Sequence, residues 1–361
     1  MVDLKLPVIP DEPPADWAAY WKENAQLMLL PGRLLYPNGP QDYIGLAVCV
    51  KATLNFHGAH LPEVRAAIAD CFEEYVAVAG EHLKWGANEG DVPRNFRRMK
   101  SFRAKLEKMG KNDELGYYCW SGEEPDSTGF YTFNVIGMRA WQVAQHPRWG
   151  SNILEFSLPI TSLDEQPTLM IQLFLSFCRK LKPFSGYAGF GLNVSVTKGY
   201  ENQRMEYYLS QQMNGLDVGC VWGELPDGIK TVSWLTVVNQ TIRDEFGTLM
   251  NWRSELPPLW YAFYDYGAGM VIQAGPRPEV APVATDPKPP AYVLVNHCLQ
   301  PYRAPLAKSF HAGGDDMAFD CIATQEWLRR FDVPDEALMQ YKTALLYTPK
   351  LTPATTLPER L

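Results

Sequence analysis

The chain has 361 residues, of which 46% are hydrophobic and 20% charged, and it carries a net charge of −8. This is ordinary globular usage and excludes a disordered chain. The acid excess argues against general nucleic-acid binding and suits a basic partner.

Proline marks the ends and one internal loop. Of 29 prolines, 7 fall in residues 1–40, 8 in 276–305 and 3 in 349–358. The chain is read as a lead with one helix (1–40), an α+β domain (41–332) and a C-terminal tail (333–361). In the lead, Asp16 caps a helix that Pro31-Gly32 ends. A strand over Tyr43 to Phe56 follows, then the clearest helix, Pro62 to about Leu83. Val64, Ile68, Cys71, Phe72, Tyr75 and Val78 recur there at helical spacing. Strands are predicted at Phe130 to Met138 and Ile153 to Ile160, a helix at Pro167 to Leu181 and a strand at Tyr187 to Thr197. This order gives a βαββαβ-like first half. A related second half has helix Glu201 to Met213, strand Ile229 to Val238, helix Thr241 to Leu249, strands Met270 to Ala274 and Tyr292 to Gln300, and helix Thr324 to Phe331. The fold class is α+β, one compact body with a mixed sheet. Val64, Ile68, Phe72, Trp234, Leu235, Val237 and Val238 are candidate core.

The longest apolar-rich stretch, Thr168 to Cys178, is far short of the ~20 residues that cross a bilayer. Met1 to Pro14 holds acids, four prolines and no apolar core, so no secretory signal is read there. The expectation is a cytoplasmic protein with no membrane contact. Seven dispersed cysteines without a Cys-x-x-Cys pair suit reduced, mostly buried thiols and offer no zinc cluster.

Motifs that carry chemistry are sparse. There is no phosphate-binding loop, nucleophile elbow or His-Glu-x-x-His. Gly186, Gly189 and Gly191 precede a strand, whereas a dinucleotide loop follows one and opens a helix. His57 and His60 lack a nearby third ligand and are read as turn residues. His311 with Asp315 and Asp316 forms the best polar cluster, without a nucleophile beside it. No cofactor and no metal site is assigned.

Charge is blocked along the middle of the chain. Arg94, Arg97, Arg98, Lys100, Arg103, Lys105, Lys108 and Lys111 stand against Glu107 alone, on an amphipathic pattern that reads as a helix. Residues 112–138 then hold Asp113, Glu114, Glu123, Glu124 and Asp126 and no Lys or Arg. The two blocks can compensate each other, or each can serve a partner. Tyr117, Tyr118 and Trp120 adjoin the acids, a composition found at protein-binding hot spots and equally in cores.

Several pieces resemble a known family. They are Tyr207-Tyr208-Leu209 through Asn214-Gly215-Leu216-Asp217-Val218, Asp227 to Thr236 with its Lys-x-x-x-Trp-Leu-Thr pattern, Gly269 to Pro278, and Tyr292 to Arg303. In this order, over about residues 40–332, they resemble the type VI immunity family. The chain departs from that pattern between Glu279 and Asp286. The resemblance implies a protein encoded beside a toxic effector of a contact-dependent secretion system, protecting the producing cell. Several partners in such pairs look like nucleases. It implies no catalytic residues; Gly215 and Gly228 read as turn residues, Trp234 and Leu235 as core strand positions.

The expectation is therefore a non-enzymatic immunity protein that neutralises a basic, cytosolic-acting nuclease by stoichiometric occlusion of its active site. Tyr117, Trp120, Glu123, Glu124 and Asp126 are the leading toxin-binding candidates, followed by Asp315 and Asp316. The alternatives are nucleic-acid binding through residues 94–111 and an enzyme that reverses toxin damage. Direct nucleic-acid binding is the less favoured partner reading, and a homodimer is compatible with the sequence.

Overall fold

The computed structural model describes residues 19–20, 23–145, 151–218, 228–283, 288–304, 309–311 and 317–361. The chain enters through β1 (Leu29–Pro31), which pairs with the start of β2 (Ile44–Phe56). Helix α1 (Pro62–Ala79) follows, with proline in its first turn, where a missing N–H costs nothing. A short excursion comprises β3 (Trp85–Asn88), β4 (Arg94–Asn95) and α2 (Phe102–Lys108). The chain then runs through β5 (Leu115–Trp120), β6 (Thr132–Gly137), β7 (Asn152–Leu158), α3 (Leu169–Leu181) and β8 (Ser185–Val194). The second half holds α4 (Gly199–Gln212), β9 (Leu235–Asn239), α5 (Gln240–Phe246), α6 (Leu249–Glu255), β10 (Tyr261–Asp265), β11 (Gly269–Ala274), α7 (Pro290–Leu299), α8 (Cys321–Leu328) and α9 (Asp335–Leu345).

The eleven strands form one sheet in the order β10-β11-β9-β8-β2-β7-β6-β5-β3-β4, with β1 beside β2. The α+β class holds, but among the described residues every strand pair of this sheet is antiparallel, so it is not mixed. The cause is the route: after each helical excursion the chain meanders back beside its starting strand. In the first half β7 returns next to β2, and in the second β11 returns next to β9. This shared strand–helix–meander order is the relation between the halves.

The two faces of the central strands differ. Val50, Ala52, Leu54 and Phe56 of β2 belong to the apolar core, and Phe156, paired with Ala52, meets Tyr75 of α1 and Phe177 of α3. The opposite face presents Lys51, Thr53 and Asn55, with Ser157 and Glu155 beside them on β7. Helix α4 and later segments cover that polar face, and all these groups are buried.

Several sequence expectations shift. Tyr292 to Gln300 is helical, within α7 and the turn after it, not a strand. Its near-continuous apolar run is buried on nearly all sides, and such a run has no period by which to tell strand from helix. The expected helix at 241–249 is split between α5 and α6 at Gly247, whose φ is 116°. Residues 94–111 do not form one helix: β4, a 3-10 turn at Phe96–Arg98 and the short α2 share them. Of the lead, residues 19–20 and 23–40 are described, and a 3-10 turn at Ala25–Met28 followed by β1 stands where the second half of the predicted helix was expected. The tail contains α9, which packs on α7.

Candidate functional site

The acidic candidates sit on the connection between β5 and β6, at one end of the sheet. The loop is pinned at both flanks. Ser121 N–H donates to the Tyr131 carbonyl (3.1 Å), Thr128 N–H to Ile44 (2.9 Å), and Ile44 N–H to Ser127 Oγ (3.1 Å). Gly122 passes so close to Ser127 that a Cβ would lie 1.8 Å from its carbonyl oxygen. Asp126 is half-buried and structural: its carboxylate accepts from Thr197 Oγ1 (2.6 Å) and its carbonyl from Ser195 Oγ (2.7 Å). Glu123 pairs with Lys84 at 2.5 Å yet keeps 83% of its side chain exposed. Glu124 is exposed and has no ion-pair partner among the described residues.

The two aromatic anchors are corrected. Tyr117 is 2% exposed, stacked on Phe102 at 4.0 Å and edge-on to Phe72 at 5.4 Å. Trp120 is fully buried. Strand β5 lies inside the sheet between β3 and β6, so these rings support the loop from below and offer no surface to a partner. Tyr118, on the opposite face from Tyr117, is the half-buried ring of the strand; its hydroxyl donates to Glu89. Asp315 and Asp316 lie outside the described residues.

The basic stretch adjoins this loop. Asn95 pairs with Trp85 across β4 and β3, and Trp85 pairs with Trp120 on β5. Phe96 N–H donates to the Lys84 carbonyl (2.8 Å), and Trp85 Nε1–H to the Gly122 carbonyl (3.1 Å). Within the stretch, Arg103 is held by Asp70 and Glu73 of α1, both at 2.6 Å. Lys105 donates to Asn88. Compensation of the basic block thus comes from α1, and Glu114 is met by Arg139 at 2.6 Å, not by residues 94–111. Arg94, Arg97, Arg98 and Lys100 are exposed and have no ion-pair partner among the described residues.

A second polar cluster fills the covered face of the sheet. Lys51 Nζ lies 3.2 Å from Glu155 Oε2, and Thr53 Oγ1 donates to Glu155 Oε1. Burial pulls the Lys51 ammonium down, but Glu155 and Glu206 more than offset it and hold the pKa above its usual value. Arg330 meets Asp217 at 2.9 Å and Thr231 Oγ1 at 2.9 Å, with its guanidinium 3.6 Å from the Trp327 ring centroid. Burial pushes the Asp217 carboxyl up to about 6 despite Arg330. Lys230 Nζ donates to Tyr187 Oη at 2.9 Å. His311 is a loop residue but a buried one: Nε2 is 3.0 Å from Glu206, and Nδ1 accepts from Phe319 N–H, so the ring donates through Nε2. These partners lie more than a hundred residues apart in the Asp217–Arg330 and Glu206–His311 pairs, beyond any local sequence signal. Both of these pairs lie within the second half, and the Lys230–Tyr187 bond ties that half to β8 of the first.

At the opposite end of the sheet a cleft of about 580 Å³ is lined by His57, Lys182, Phe184, Asn239, Thr241 and Arg303. Three of its polar groups are engaged: His57 stacks on Phe184 at 4.6 Å, Asn239 Nδ2 donates to the Phe184 carbonyl, and Arg303 binds Asp332. Among the described residues no group of three His, Cys, Asp or Glu side chains is placed to hold a metal ion, and no helix is long and apolar enough to cross a membrane. Burial pushes the Cys49, Cys119 and Cys298 thiols up to about 12, which keeps them protonated and poorly nucleophilic.

Residues 67–331 match the family model described as type VI immunity for VRR-NUC. Among solved structures, the Pseudomonas aeruginosa T6SS protein PA0821 is similar with a TM-score of 0.88 and 37% identity, covering 97% of this chain and 100% of that chain. No curated protein sequence matches the chain.

Proposed function

The chain belongs to the type VI immunity family for VRR-NUC, and from that premise we propose that it binds a cognate nuclease toxin and blocks its active site without turnover. The observation that carries this reading is the braced acidic loop, which holds Glu123 and Glu124 in solvent at the end of the sheet. A nuclease must line its substrate cleft with cations to bind phosphates. Carboxylates on a loop already ordered by the sheet meet such a cleft with little further loss of entropy and speed the encounter by charge attraction. Lys51 with Glu155, His311 with Glu206 and Arg330 with Asp217 are buried in mutual pairs, which supports inhibition over catalysis.

The test is a titration of purified toxin. Nuclease activity should fall linearly with added protein and vanish near a one-to-one ratio. Complete protection by a trace amount would show turnover and sink the occlusion reading.

A further inference from the structure

We infer that the interface is two-signed: the cationic rim formed by Arg94, Arg97, Arg98 and Lys100 seats on the carboxylates with which the toxin holds its catalytic metal, while Glu123 and Glu124 meet the basic walls around them. This rests on the immunity reading above and names what the same surface recognises.

The rim is the local charge that the acidic balance of the chain does not explain. Eight cations lie in residues 94–111. Arg103 and Lys105 are spent on neighbours within the fold, whereas the four rim cations face solvent without an ion-pair partner among the described residues. The backbone that carries them is held in place. Arg97 N–H donates to Asn95 Oδ1 (3.0 Å), and Met99 N–H to the Phe96 carbonyl (3.0 Å). Phe96 lies edge-on to Phe72 at 6.3 Å, and both Phe96 and Met99 pack on the core. Gly86 makes room for Met99, since a Cβ there would lie 2.0 Å from its sulfur. A backbone already ordered gives up little further entropy on binding.

The rim and the acidic loop share one end of the sheet. Lys84 touches both: its carbonyl accepts from Phe96, and its ammonium pairs with Glu123. A metal-dependent nuclease has the inverse layout. Carboxylates hold its metal ions at the centre of a cleft whose walls are basic. An inhibitor carrying only acids is repelled by that centre; one carrying only bases is repelled by the walls. Guanidinium forks match carboxylates in two-point geometry and can occupy such a centre once the metal is absent. Binding then competes with the metal.

The experiment measures toxin affinity of the full chain, with Mg²⁺ varied at fixed ionic strength. Wild type should weaken on the order of tenfold from EDTA to millimolar Mg²⁺, about 1.4 kcal/mol. Arg97→Glu with Arg98→Glu should bind at least about tenfold more weakly in EDTA, lose the Mg²⁺ dependence and melt like wild type. Arg97→Lys with Arg98→Lys should recover part of both. Glu123→Lys with Glu124→Lys should keep the Mg²⁺ dependence. Unchanged affinity and Mg²⁺ response in the Arg97→Glu, Arg98→Glu variant would overturn the proposal, as would binding of the free protein to duplex DNA that this variant abolishes. One-to-one inhibition would survive either result; its absence would instead refute the immunity reading itself.

Discussion

Asp217 shows what one buried carboxyl does to the stability of the chain. Desolvation raises it to about 6 even though Arg330 stands 2.9 Å away. The unfolded chain loses that proton near 3.9. Between those values the folded protein binds more protons than the unfolded one, so this group lowers stability as pH rises from about 4 to 6. The cost grows by about 2 kcal/mol between about pH 4.5 and 7. Asp217→Asn removes the titration, so the stability advantage of wild type over the variant should narrow by about that amount across this range. Denaturant midpoints at the two pH values measure it, and a constant difference would place the carboxyl at its ordinary pKa. Trp234 belongs to the same scale. Its ring is fully buried and its Nε1–H donates to the Gly275 carbonyl at 3.0 Å. Trp234→Ala should cost about 3–5 kcal/mol in urea unfolding; an unchanged midpoint would contradict the packing. The sequence reading placed Trp234 correctly, along with Ile68, Phe72, Leu235, Val237 and Val238, because apolar periodicity reports burial. Val64 is only half-buried, at the rim of the α1 contact.

At the scale of elements, the tail behaves as a strap on the outermost strand of the sheet. Leu351 N–H donates to Leu259, Leu361 N–H to Phe263, and Leu357 N–H to Tyr264 Oη, while Gln273 Nε2 donates to the Thr355 carbonyl. Strand β10 is thereby shielded along its open side. Unpaired edge strands invite pairing with other chains. Removing residues 349–361 should therefore lower the melting temperature and produce concentration-dependent light scattering; a monodisperse, equally stable product would show that the strap is dispensable. Proline content alone marked this segment as a tail, because prolines signal irregular backbone and carry no information on what that backbone covers. The long elements were legible for the opposite reason: β2, α1, α3 and α4 each have a clear period or length. Strand β5 was missed, since its aromatic and acidic neighbours read as a loop until its pairing with β3 and β6 is known.

On the scale of the whole molecule, charge is sorted by position. The pairs Lys51–Glu155, Asp217–Arg330 and Glu206–His311 lie inside, and the opposed charges of the loop and the rim lie outside at one end. Only the outer ones act at a distance. Glu123→Lys with Glu124→Lys should slow association with the toxin, more at low salt than at high salt, and leave the melt nearly unchanged. Stopped-flow association at two ionic strengths reads this directly. A destabilised variant that associates normally would assign the carboxylates to the fold.

By itself the sequence determined the α+β class, most of the long helices and strands, most of the named core positions and the family, because periodicity and short ordered motifs are local properties of the chain. It also located the acidic and basic blocks. Only the tertiary structure decided which of those charges are free. Tyr117 and Trp120 sit on a strand whose two neighbours bury them, Asp126 is consumed by Thr197 and Ser195, and Arg103 by α1. Glu124 and the four rim cations remain exposed without ion-pair partners among the described residues. Exposure and pairing depend on residues that meet across the sheet from distant parts of the chain, and no pattern confined to neighbours in sequence encodes them.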